Sequence, residues 1–141
     1  MVVHIEIVNI CSCTELDNKL NPVNIKNIFN QLDEVIIVWC KAVNIKQDIQ
    51  ISMEWYNPDN MPVFKINVKV EATDEEHPFR YFWSMMKHKL LYAIEGKKFG
   101  KWTVNISPFG VKNEFVINEL AVNYGDKLKL VSNTSFFDEI M

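Results

Sequence analysis

The sequence predicts an α+β fold, a mostly antiparallel sheet with two helices packed on one face. Three observations predict it. First, residues 35–72 read as an antiparallel meander. Ile49, Ile51, Met53 and Trp55 alternate with Gln50, Ser52 and Glu54, and Phe64, Ile66, Val68 and Val70 alternate with Lys65, Asn67, Lys69 and Glu71. Second, Val23, Ile25, Ile28, Phe29 and Leu32 recur at helical spacing, which predicts a helix over about 22–33. Third, the apolar run that follows Pro78 and stops at Gly96 predicts a longer helix over about 76–96.

Each element has a local reason. Residues 2–10 alternate, with Val3, Ile5 and Ile7 opposed to His4 and Glu6, as a half-buried strand does. Residues 11–21 collect Ser12, Thr14, Asp17, Asn18 and Asn21 and read as a loop; Pro22 suits the first position of a helix. Val35 to Cys40 is apolar on both faces, the mark of a central strand over 35–43. Asn57, Pro58, Asp59, Asn60 and Pro62 turn the chain between the two alternating runs, so these form a hairpin. Thr73 and Glu76 have capping-box spacing, and Asp74, Glu75 and Glu76 complement a helix N-terminus. Trp102, Val104 and Ile106 share one side of a strand over 101–106; 114–120 and 127–131 read as strands too.

Placed at about 100° per residue, the longer helix puts Arg80, Ser84, Lys87, His88, Leu91 and Glu95 on one strip. Its apolar residues cover more than half the circumference, more than one sheet can hide. The C-terminal segment, a second subunit or a ligand is expected to cover the surplus, so a homodimer through this helix is one expectation. Lys89 sits in the middle of the apolar arc, where an ammonium must reach solvent along its stem or meet a partner.

The 141 residues suit a single domain over 1–141, and 48% hydrophobic content is enough for a core without disulfide or metal. Net charge is −3, which opposes generic nucleic-acid binding. Cys11, Cys13 and Cys40 form no disulfide framework and suit a reducing, cytoplasmic compartment in a bacterial or host cell. The first residues lack the basic and long apolar parts of a signal peptide, and no apolar run spans a bilayer. A single Arg among 14 Lys, with abundant Asn and Ile, reflects an AT-rich genome rather than a function.

Candidate sites are sparse. Cys11 and Cys13 are one residue apart, closer than the two to four residues structural zinc prefers, so no metal is expected. His77 beside Glu75 and Glu76 has the residue types for acid–base work, but capping at a helix start accounts for them. The glycines form no phosphate loop, and no cofactor is expected. The segment 79–102 interleaves Arg80 and five lysines with Tyr81, Phe82, Trp83, Tyr92, Phe99 and Trp102, a pattern suited to single-stranded nucleic acid or another anionic ligand. The helix–strand–strand–strand–helix order over 22–95 resembles that of double-stranded-RNA-binding domains. Asp74, Glu75 and Glu76 stand where that family presents cations to phosphate, so its function is not carried over.

The leading expectation is a small non-enzymatic protein that recognises another macromolecule, with its inhibition as one form of that role, of the type of immunity proteins and phage or virus inhibitors. The expected contact residues are Asp74, Glu75, Glu76, Arg80, Lys87 and Lys89. An anion-binding domain using 79–102 is the alternative. An enzyme acting through His77, His88 or Lys89 is the second.

Overall fold

In a computed structural model, the described residues are 6–87 and 99–119. They are all-β, with strands over 64% of them and no helix. The strands are β1 (Glu6–Cys13), β2 (Glu15–Leu16), β3 (Pro22–Val23), β4 (Ile28–Asn30), β5 (Val35–Val43), β6 (Ile49–Tyr56), β7 (Pro62–Val70), β8 (Phe79–Lys87), β9 (Gly100–Ser107) and β10 (Val111–Asn118). Among the described residues no helix is long and apolar enough to cross a membrane.

Two sheets and a small ribbon hold these strands. One sheet has the order β1-β5-β8 and the other β4-β10-β9-β6-β7, while β2 pairs with β3. A single core joins the inner faces of the two sheets, as in a sandwich. Ile36, Val38, Cys40, Ala42, Phe82 and Met86 come from the three-stranded sheet; Ile51, Met53, Trp55, Trp102, Val104, Ile106, Phe115, Ile117 and Phe29 come from the other. Aromatic packing organises it, with Trp55 stacked on Phe64 at 5.1 Å and edge-on to Phe115 at 5.7 Å. The Trp55 Nε1–H donates to the buried Ser84 Oγ at 2.8 Å, linking β6 to β8 across the sandwich.

The expected α+β class is therefore corrected to all-β. The hairpin over 49–70 is present, with β6 and β7 paired antiparallel from Ile49↔Val70 to Tyr56↔Pro62. The meander over 35–72 is not, because β5 belongs to the opposite sheet and pairs with β1 and β8. The chain crosses from β5 to β6 and returns from β7 to β8, and these two crossings are tied together. Ile45 N–H donates to Thr73 Oγ1 at 3.0 Å, and Thr73 N–H to the Ile45 carbonyl at 2.9 Å. Thr73 thus serves this junction rather than a helix cap.

The helix expected over 22–33 is absent. Pro22 lies in β3, Asn24 has φ +59°, and the Lys26 N–H goes to the Ser12 carbonyl rather than to a helical turn. Only Phe29 of the periodic set is fully buried; Ile25, Ile28 and Leu32 are exposed. The helix expected over 76–96 is overturned across its described part. Residues 79–87 form β8, nine consecutive residues in register with β5. Residues 88–96 lie outside the described residues, as do Lys89, His88, Tyr92 and the strand expected over 127–131. With no helix over 22–33 or 79–87, the likeness in element order to double-stranded-RNA-binding domains falls as well.

Candidate functional site: the outer face of the three-stranded sheet

Alternation along β8 sends Phe82, Ser84 and Met86 inward, so Phe79, Tyr81, Trp83 and Met85 point to the sheet's outer face. On that face Trp83 is directly opposite Trp39, Met85 opposite Ile37 and Tyr81 opposite Lys41. Cys11 and Cys13 of β1 stand opposite Trp39 and Ile37 on the other side. A patch of apolar and aromatic side chains results, bounded by Lys41 and Lys87 and without a carboxylate among the residues just named.

The face is covered on one half and open on the other. Leu16 of β2 packs against the cluster of Cys13, Ile37 and Trp39. The Trp39 indole N–H donates to the Leu20 carbonyl at 2.9 Å, and Leu20 holds φ +66° in the turn between β2 and β3. Cys13, Ile37 and Trp39 are buried as a result, whereas Phe79 and Met85 remain 38% and 46% exposed. Tyr81 and Trp83 are half-buried between these halves. The rings support one another. Trp39 and Tyr81 lie 5.0 Å apart, Phe79 stacks on Tyr81 at 5.2 Å, and Lys41 Nζ sits 4.3 Å above the Phe79 ring.

The thiols bordering this face are unreactive by environment. Burial, helped by Cys13, pushes the Cys11 thiol up to about 11, and burial also raises Cys13 and Cys40. Cys40 points into the core between the sheets, away from the face that carries Cys11 and Cys13. Among the described residues no group of three or more His, Cys, Asp and Glu side chains could hold a metal ion.

The expected contact residues separate. Asp74, Glu75, Glu76 and Arg80 gather at one end of the sandwich, in and beside the loop between β7 and β8. Asp74 accepts the His77 backbone N–H at 2.6 Å, and that bond, with the nearby His77 ring, holds its carboxyl below the usual range. Arg80 reaches back to the Ala72 carbonyl through Nη2 at 2.9 Å and to Glu71 at 3.6 Å, closing the loop. Lys87 lies at the far end of β8, seven residues and roughly 23 Å away. His77 is exposed and bound to Asp74. The aromatics of 79–102 also divide: Phe82 and Trp102 are core, Phe99 packs against it, and Tyr81 and Trp83 face out.

The outer face of the five-stranded sheet has a different character. Ser52 donates to Asn67 at 2.7 Å, Tyr56 donates to Glu54 at 2.5 Å, and Lys101 pairs with Glu114. The Glu54 bond raises the Tyr56 phenol above its ordinary value. Such mutually satisfied polar pairs are what a solvated sheet face carries.

Sequence reasoning missed the aromatic face because it placed Tyr81, Trp83 and Met85 on a helix. The usable signal was Trp39, an outward residue in a strand already read as apolar on both faces.

No protein-family model matches the chain, and no curated protein matches it. Among solved structures, it is similar to the C-terminal domain of wzt. The TM-score is 0.48 at 9% identity, over 84% of this chain and 75% of that one. A likeness this faint transfers neither name nor activity.

Proposed function

We propose that this chain is a non-enzymatic binding protein that recognises another protein through the open β8 half of the aromatic face. The observation that carries the reading is the composition of that half. Phe79, Tyr81, Trp83 and Met85 stand in one row with no carboxylate among them. Aromatics and Met are enriched, and charges depleted, at the centre of protein interfaces. The row is also rigid. It rides on a strand with a continuous register, and ring–ring contacts already fix Phe79 and Tyr81, so little side-chain freedom is lost on binding. The complementary partner surface is apolar at its centre and carries carboxylates at its rim, facing Lys41 and Lys87. Tracking a polynucleotide takes a row of cations; this face offers two, and Lys41 is already engaged with Phe79. Free thiols at Cys11, Cys13 and Cys40 support a reducing, cytoplasmic setting.

The test is affinity capture from the native host with three forms of the full chain: wild type, Trp83→Ala/Met85→Glu, and Lys65→Ala/Lys69→Ala on the opposite sheet. The expected result is one protein retained by the wild type and the lysine variant. The β8 variant, still folded by circular dichroism, binds it at least about tenfold more weakly. Undiminished binding by the folded β8 variant overturns the proposal. So does recovery of nucleic acid whose binding weakens steeply with salt.

A further inference from the structure

Among the described residues β8 is an edge strand, and it lacks the devices that protect the other edges. Sheets end at β1, β8, β4 and β7. β1 carries a bulge between Ile7 and Asn9, and β4 is three residues long. β7 begins at Pro62 and presents Lys65 and Lys69 to solvent. Bulges, brevity, proline and lysine are the devices that keep an edge from recruiting another strand. β8 runs nine residues without a bulge, and its interior, Tyr81 to Met86, contains no charge and no proline. Among the described residues no strand pairs with its outer edge.

We infer that this edge pairs antiparallel with β8 of a second copy of the chain, about a twofold axis at Trp83. That centre is the one that pairs all nine residues. It sets Trp83 against Trp83 of the second copy, Tyr81 against Met85, and Phe79 against Lys87. It repeats chemistry already present inside the chain, where Trp39 is opposite Trp83 and Lys41 lies over Phe79. It also keeps like charges apart, since Arg80 meets Met86. The neighbouring twofold centres, at Phe82 or Ser84, would each leave two residues of the strand unpaired. The pairing closes both free edges at once, as an isologous contact must. The result is a six-stranded sheet, β1-β5-β8 followed by its mirror order, with the two aromatic rows side by side. The inference does not rest on the function proposed above: sedimentation and amide exchange of the isolated chain read it with no partner present.

Charge reversal at the axis tests it. Wild type sediments as a species of twice the 16.5 kDa chain mass. Trp83→Lys and Trp83→Glu, each opposing its own charge, sediment as monomers, and an equimolar mixture of the two restores the dimer. A wild type that is monomeric at every concentration overturns the proposal, as does a folded single variant that dimerises alone. Amide exchange of the unsubstituted chain provides a second measurement. Exchange over residues 81–86 slows as protein concentration rises; exchange independent of concentration overturns the proposal.

Discussion

Ser84 shows how much one hydroxyl can hold at the centre of this sandwich. It is the polar side chain of β8 that faces inward, almost fully buried, and its Oγ accepts the only hydrogen the Trp55 indole can donate. Replacing it with alanine removes little volume but leaves a buried N–H without an acceptor. Ser84→Ala is expected to lower unfolding stability by about 1–3 kcal/mol, measured by urea denaturation. Trp55→Phe in the same background should then cost less than it does in the wild type, since the orphaned N–H has gone. The serine also explains a misreading. Among Phe82, Trp83, Met85 and Met86, a lone serine looks like the polar strip of a helix, whereas it is an inward strand position matched to an indole across the core.

At the scale of elements, legibility followed solvent. β6 and β7 have one face in water, so Gln50, Ser52 and Glu54 mark every second position and the hairpin could be read directly. β9 was legible for the same reason, with Trp102, Val104 and Ile106 on one side. β8 is apolar on both faces, because the core lies beneath it and the aromatic cluster above it. A period of two then leaves no trace, and the run's length, with capping-type residues before it and Gly96 after it, argued for a helix. β4 is three residues, shorter than any periodic window, and its neighbours met a helical pattern by coincidence. The candidate site shared the fate of β8. Arg80 and Lys87 were named, but the rings between them were assigned to the wrong geometry, and the acids of 74–76 were read as a cap instead of a turn. β9 holds a further element-level constraint. Gly100 has φ +129°, and a Cβ there would lie 3.0 Å from the Pro58 Cβ in the β6–β7 turn. Gly100→Ala is expected to cost roughly 1–3 kcal/mol by the same measurement, from backbone strain and the clash together.

For the whole molecule, titration bounds stability on both sides. Asp17 is held below its ordinary carboxyl value by the Asn21 backbone N–H, Asp74 by that of His77, and Glu114 by Lys101. A carboxyl depressed in the folded state stabilises it above the ordinary range and loses that contribution as pH falls through the folded value. The acid limb of stability therefore lies below about pH 4.5 and shrinks with added salt, because all three groups face solvent. The thiols act in the opposite sense. Burial raises Cys40, so above pH 9 the unfolded chain releases a proton that the folded chain keeps. Stability should fall by about 1 kcal/mol per pH unit there, from Cys40 alone. Denaturation midpoints from pH 3 to pH 10 are expected to show a plateau with both shoulders; a flat alkaline side would mean Cys40 titrates normally.

The half-covered aromatic face also sorts the four indoles optically. Trp39, Trp55 and Trp102 are buried, while Trp83 is only partly buried. The intrinsic emission of the unlabelled chain thus has a blue majority and a red edge, and the red edge belongs to Trp83. Anything that seats on β8, whether a partner or a second copy, must change the colour of that one indole first.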